Sequence, residues 1–257
     1  MGAFLADTYH LFLRHGRATL RLPIWIWVSL VQPVIWLFLF GQLFQRIIEI
    51  PGFTTASYIE FLTPGVVIMT AMFGAAWSGM GLIFDLDHGV MDRLLATPVN
   101  RGALIAARVL HAAVTATVEA IIILALGLLL GAKSPSGILG LAVILVPALL
   151  VSAGFSALSN GIALLIRREE NLIAIVNFVG LPLTFMSASF MSAALMPGWI
   201  RTLSQANPVN WAVEAARAAL LGDDWWTVVG LCAALAAFAI AAAVFATRAF
   251  RVYLRST

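Results

Sequence analysis

Apolar residues run through this chain in long blocks separated by short polar intervals. A helix needs about 20 apolar residues to cross the hydrocarbon of a bilayer. Six blocks reach or approach that length, at 23–44, 61–84, 103–131, 138–166, 172–195 and 227–246. Trp25 and Trp27 open the first block and Trp225-Trp226 precede the last, at the interfacial depth tryptophan favours. Pro64-Gly65 falls in the first turn of the second block, where proline costs little. The fourth block carries Pro147 and Gly154, which predict a tilt or a break, and the fifth is interrupted by Gly180 and Pro182. Lys133 to Gly137, KSPSG, reads as a tight turn.

Two stretches follow other patterns. In residues 1–22, at about 100° per residue, Asp7, His10, Arg14, Arg17 and Arg21 share one helix face, and Leu5, Tyr9, Phe12, Leu13 and Leu20 share another. Such a helix lies in the membrane interface with its arginines among headgroups. Residues 196–224 mix Pro197-Gly198-Trp199, Asn207-Pro208 and a helix-like AVEAARAALLG ending at Gly222. They are too polar to cross lipid alone, so they dip part-way in from the outer side against protein. The expected fold is all-α and integral to the membrane, one transmembrane domain over 1–257. It has six transmembrane helices, an N-terminal interfacial amphipathic helix, and short extracytoplasmic re-entrant helices before the last span.

Composition supports this and excludes other classes. The chain is 62% hydrophobic and 11% charged, against roughly 25% charged in soluble domains. Its net charge of +3 would suggest nucleic acid in a soluble protein, but the basic residues cluster by side of the membrane. Eleven accompany the N-terminal helix, the 85–108 region, Arg167-Arg168 and the C-terminus, while Arg46, Lys133, Arg201 and Arg217 lie on the other side. That bias puts both termini in the cytoplasm, with membrane lipid and no nucleic acid as partner. Arginine supplies all basic residues but Lys133, a bias that suits a GC-rich bacterial genome and hence a bacterial cytoplasmic membrane. Cys232 lies alone in an apolar block and forms no disulfide or thiol metal site.

The catalytic motifs fail one by one. Gly127 to Ser134, GLLLGAKS, resembles a phosphate-binding loop but has Ala132 where glycine is required, and it ends a membrane helix instead of following a strand. Gly154-Phe155-Ser156-Ala157 resembles an intramembrane serine-protease site, yet no histidine follows His111 to act as base. Small residues in a span more often let helices pack closely. His10, His15, His88 and His111 show no metal spacing. No enzyme activity, cofactor or metal is expected of the chain itself.

Two features carry function. The first is a charged island between the second and third blocks, residues 85–101. Asp85, Asp87, Asp92, Arg93 and Arg101 surround Val90, Met91, Leu94 and Leu95, and Pro98 ends whatever helix they form. In so apolar a chain it lies in water or against a partner. The second is Glu119, midway along the third block. A charge there costs about 2.5–3.5 kcal/mol on insertion scales. Either it contacts substrate or a proton, or it is a protonated or hydrogen-bonded group packed against Asn160 or Asn177. Phe185 and Ser189, with Phe178, Met186 and Phe190, either line an adaptable path or simply pack. Glu119, Asn177, Phe185 and Ser189 are the candidate path residues.

Tyr58-Ile59-Glu60-Phe61-Leu62-Thr63-Pro64-Gly65 opens the second block, and Gly89-Val90-Met91-Asp92-Arg93-Leu94-Leu95-Ala96-Thr97-Pro98 follows it. Leu195-Met196-Pro197-Gly198-Trp199, Asn207-Pro208 and Glu214 to Gly222 come late. In order and spacing these resemble the permease subunits of type-2 ABC exporters, the drug-resistance and nodulation-type lipo-oligosaccharide permeases, over nearly the whole chain. Asp85-Leu86-Asp87-His88 departs from that family's Glu-Arg-Glu-like run before the glycine. The resemblance implies a cytoplasmic coupling helix that docks into a separate ATPase, a role falling on Gly89, Asp92, Arg93, Leu94, Leu95 and Pro98. It also implies a pair of ATPase subunits holding ATP and magnesium, a second permease chain, the same or different, and a hydrophobic or amphipathic cargo: drug, lipid or lipid-linked saccharide. The alternative is an ion-coupled secondary transporter using Glu119. A single mid-membrane acid and no visible internal repeat weigh against it.

Overall fold

The computed structural model describes residues 2–21, 24–50, 55–96, 100–222 and 224–255, and every regular element among them is helical. The helices are α1 (Gly2–Arg21), α2 (Ile24–Leu43), α3 (Tyr58–Ala76), α4 (Ser78–Asp87), α5 (Val90–Leu95), α6 (Arg101–Leu129), α7 (Gly137–Ile166), α8 (Glu169–Phe185), α9 (Gly198–Ser204), α10 (Pro208–Leu221) and α11 (Trp225–Arg255). Short 3₁₀ turns occupy Gln45–Glu49 and Ala193–Leu195. Four stretches are long and apolar enough to cross a membrane: Tyr58–Asp87, Gly102–Leu129, Gly137–Ile166 and Trp225–Arg255. α2 has 20 residues and α8 has 17.

α7 is the hub, packing along α11, α6, α3, α10 and α4. It runs unbroken from Gly137 to Ile166, so of the tilt or break expected around Pro147 or Gly154 the break does not occur. Both residues are buried among neighbouring helices, and Gly154 gives its space to the Phe238 ring of α11. The break lies instead in the second block. Trp77 divides α3 from α4, and α7 repairs the interruption. Ser159 Oγ donates to the Ala76 carbonyl and accepts from the Gly79 amide at 3.1 Å. A Cβ on Gly79 would lie 2.6 Å from the Ser159 carbonyl oxygen, so only glycine allows this approach.

Other boundaries also move. Ser57 caps α3 by accepting from the Glu60 amide, which starts the helix three residues early and leaves Pro64 past its first turn. The fifth block ends as a helix at Phe185, ten residues before its apolar run does. Pro182 weakens its last turn, and Asn207 Nδ2 donates to the terminal carbonyls of Leu183 and Met186, at 2.6 and 3.3 Å. α11 continues to Arg255, so Arg248 and Arg251 ride on the helix beyond its apolar stretch.

Two apolar cores stack along the bundle. One gathers Leu62, Val67, Met72, Ile123, Ile144 and Leu220 toward the α10 end. The other gathers Leu11, Leu82, Met91, Leu104, Leu164 and Phe250 toward the α5 end.

Candidate functional site

The island is a short helix on a glycine joint. α4 runs through Asp85 to Asp87, and Gly89 then turns the chain at φ +64, a left-handed conformation that glycine adopts without cost. The six residues of α5 follow. Met91 is 1% exposed and pins α5 into the nearby core, while Arg93 points outward and Leu94 is half-buried. Asp92 and Leu95 contribute backbone to α5; their side chains, that of Arg101, and Pro98 lie outside the described residues. Beyond them Asn100 caps α6 through the Gly102 amide at 3.0 Å, and its own amide donates to Asp7 Oδ2 of α1 at 2.9 Å.

Asp85 was expected, with the rest of the island, in water or against a partner, and its partners prove to be within the chain. It is buried, because Arg108 of α6 and Arg14 of α1 both donate to its carboxylate, Arg14 at 3.3 Å. One carboxylate therefore joins α1, α4 and α6 just above the glycine joint. Beside it, Thr19 and His111 Nε2 lie 2.8 Å apart and the His15 and His111 rings 5.9 Å apart. Burial, then the nearby Arg108, His111 and Arg14, pushes the His15 imidazole down to about 3, so it is neutral near pH 7.

The opposite end, about 45 Å away along the 30 residues of α3 and α4, is a plug built on α10. Arg217 Nη2 donates to the Ala188 and Phe61 carbonyls at 2.7 and 3.2 Å, and its guanidinium lies 3.7 Å over the Phe61 ring. Asn210 accepts from the Ala188 amide at 2.8 Å and donates to Glu214. Tyr58 donates to the Phe190 carbonyl at 2.9 Å, and a Cβ on Gly65 would strike the Ser189 carbonyl oxygen at 2.4 Å. The early stretch 58–65 and the late stretch 207–222 thus grip one turn, residues 186–190, from two sides.

Glu119 is 3% exposed between α2, α3 and α6. Its partner is Ser29 of α2, which donates to Oε1, and neither Asn160 nor Asn177 reaches it. Asn160 instead donates to Ser78 Oγ and the Ser156 carbonyl, in the seam where α7 meets the Trp77 break. The apparent nucleophile Ser156 belongs to the same seam, 2.9 Å from Ser78 Oγ. The four candidate path residues do not line one cavity. Asn177 is exposed on α8 and donates to its own Ile173 carbonyl. Phe185 is 58% exposed and stacks with Phe190. Ser189 lies beyond α8, fully buried beside Ser187. Sequence reasoning missed Ser29, Asp85, Ser159, Asn210 and Arg217 as structural partners. Ser29 and Ser159 are serines in apolar blocks, which is ordinary, while Asp85 lies in the charged island and Asn210 and Arg217 in the mixed 196–224 stretch, so no local pattern marked their partners. Among the described residues no three His, Cys, Asp or Glu side chains gather to hold a metal.

Comparison with known proteins gives a family profile described as "ABC-2 type transporter", which matches residues 7–221. The transport permease ycf38 of Cyanophora paradoxa is 30% identical over 223 residues, covering 86% of this chain and 77% of that one. The daunorubicin resistance ABC transporter permease protein DrrB1 of Streptomyces coeruleorubidus is 28% identical over 251 residues, 98% and 87% of the two chains. The inner membrane transport permease YadH of Escherichia coli K12 is 28% identical over 228 residues, 84% and 85%.

Proposed function

The chain belongs to the ABC-2 type transporter family, and we propose that it is the permease subunit of an exporter driven by a separate ATPase pair docked on α5. The observation that carries this reading is α5 itself: a short helix between two long apolar helices, held by Met91 and presenting Arg93 outward. A helix so anchored moves with the bundle when pushed. ATP and magnesium would sit on the partner, and the differential free energy of ATP binding would bias inward- and outward-facing states. Gly89, Asp92, Arg93, Leu94, Leu95 and Pro98 are the docking residues in this reading.

α2 and α8 join the four long helices as spans of a single six-span domain in a bacterial cytoplasmic membrane. α1 lies in the interface, α9 and α10 enter from the outer side, and both termini are cytoplasmic, in keeping with the bias of basic residues. A second permease chain, the same or different, covers α8, where Phe178 is exposed beside Asn177 and an amide facing lipid, with one bond to the Ile173 carbonyl, would be costly. The cargo is hydrophobic or amphipathic, a class to which the drug named for the DrrB1 relative belongs.

The test is Arg93→Glu in proteoliposomes carrying permease and ATPase. The variant inserts normally, and both export and transport-stimulated ATP hydrolysis are lost. Retention of both refutes the docking role. Transport driven by an ion gradient without ATP would instead support the secondary-transporter reading.

A further inference from the structure

We propose that Glu119 is the recognition point for an organic ammonium, in a chamber that reaches the inner leaflet beneath α1. This rests on the permease reading and names the chemistry of its cargo.

Glu119 stands between two cavities. One, of about 140 Å³, is lined by Ser29 and Gln32 of α2, Thr70, Phe73 and Gly74 of α3, and Trp77. The other, of about 190 Å³, lies between the Trp77 region and α6, with Thr115 and His111 in its wall. Glu119, Gly74 and Trp77 line both. Among the described residues, Ser29 supplies the hydrogen bond to Oε1, while Oε2 faces Gly74, where a Cβ would come only to 3.4 Å. One carboxyl oxygen is therefore satisfied and the other is open to a ligand.

The surroundings select the ligand. Among the described residues no lysine or arginine lines either cavity, and His111 is the one imidazole in the wall of the second. Arg108 lies 11 residues back on α6, about 16 Å along the axis, and is engaged by Asp85. A lone carboxyl with no counter-charge binds a cation or a proton. An inorganic cation needs several oxygen ligands closing around it. Here the one charged ligand is the Glu119 carboxyl, Ser29, Gln32 and Thr70 add neutral groups, and Phe73, Trp77 and Met69 make the rest of the wall apolar, so sodium is the competitor to be tested. A carboxylate with aromatic faces suits an ammonium that carries apolar groups.

The route to Glu119 in this proposal runs beneath α1, past the Thr19–His111 contact. The α6 cavity shares His111 and Thr115 with a groove of about 310 Å³ between α1 and α6, walled by Phe12, Leu13, Val114 and Val118. The groove is apolar, and Arg17 stands at its edge. An amphipathic amine seated among lipid headgroups can slide its apolar part along this groove and bring its nitrogen to Glu119.

The experiment is equilibrium dialysis of radiolabelled benzyltrimethylammonium against the full-length chain in lipid nanodiscs. Neopentylbenzene, its uncharged carbon isostere, serves as competitor, and sodium chloride is varied. Saturable binding, at least tenfold weaker competition by neopentylbenzene, no displacement by sodium, and at least tenfold loss in Glu119→Gln are expected. Glu119→Asp keeps the charge and the preference for the cation. Equal competition by the neutral isostere, displacement by sodium, or unchanged affinity in Glu119→Gln overturns the proposal. So does an absence of binding, which leaves Glu119 a proton site only. The comparison of the two ligands on the unaltered protein does not depend on any variant folding. Binding requires no ATPase, so this assay can fail while the Arg93→Glu experiment succeeds, and the reverse.

Discussion

Removing Asp85 should separate a buried contact from an exposed one within a single cluster. The Asp85 and Arg108 side chains are 12% and 9% exposed, whereas that of Arg14 is 41% exposed. Breaking the buried pair strands Arg108 without its counter-charge, a penalty of about 3–5 kcal/mol. The other acceptor recorded for Arg108, the Gly81 carbonyl, is 3.4 Å away and compensates little. Losing Arg14 removes a partly hydrated ion pair worth about 0.2–1 kcal/mol. Asp85→Ala should therefore destabilise by about 3–5 kcal/mol, and Arg14→Ala by less than about 1 kcal/mol. The double replacement Asp85→Leu with Arg108→Met should recover most of the loss, because apolar residues of similar volume tolerate such a site. Reversible unfolding in mixed micelles, followed by tryptophan fluorescence and circular dichroism, measures these three and the single variants Asp85→Leu and Arg108→Met. If Asp85→Ala and Arg14→Ala cost the same, or the double variant costs the sum of its singles, the carboxylate does not organise this end of the bundle.

Two further outcomes follow from the same geometry. Ser159→Ala strips the Ala76 carbonyl and the Gly79 amide of the hydroxyl that bridges the Trp77 break, and should cost about 1–2 kcal/mol in the same unfolding assay; no measurable loss would mean that the break needs no repair. His15 should make stability fall on acidification. Its folded value near 3 lies below the ordinary 6.5, so between those limits the unfolded chain binds more protons and stability rises with pH, levelling off above about 6.5. Lowering the pH from 7.5 to 5 should remove about 1–2 kcal/mol, and His15→Gln should flatten that part of the profile; an unchanged slope in His15→Gln refutes the assignment.

The long helices were legible because hydropathy over some 20 residues is a strong signal. The ends of α6 and α7 fall within two residues of the predicted blocks. What escaped were decisions made by tertiary partners. The end of α8 is set by Asn207, 22 residues beyond Phe185, and the Trp77 break by Ser159, more than 80 residues away. No local window contains both members of either pair. Asp85 read as one charge of an island in water or against a partner, as its exposed neighbours Asp87 and His88 suggest, whereas its partners come from α1 and α6. The α5 segment was legible as an element, from the glycine and the amphipathic knot, but its anchor at Met91 depends on packing that the pattern alone does not specify. Glu119 announced itself as an anomaly of charge, and its neighbour Ser29 did not, since a serine in a span is ordinary.

The two clamps and the break between them constrain how this bundle can move. At the α5 end, Asp85 joins α1, α4 and α6, and Asp7 ties α1 to Asn100 at the start of α6. At the α10 end, Arg217, Asn210 and Asn207 fasten the 186–190 turn to α3 and α8. Rigid ends do not absorb displacement, so the interruption between them takes the strain. At Trp77 the α3–α4 ladder is already interrupted, and side-chain hydroxyls of α7 can re-form their bonds after a small shift more readily than a continuous helix can bend. Gly74 and Trp77 also wall both cavities at Glu119. Under the proposed docking role, a push delivered through α5 reaches first the interruption that also walls the cavities around the buried carboxyl. On the proposed reading, in which α5 receives the push and Glu119 of α6 binds cargo, the Trp77 break lies directly between them, and coupling needs no longer pathway than that.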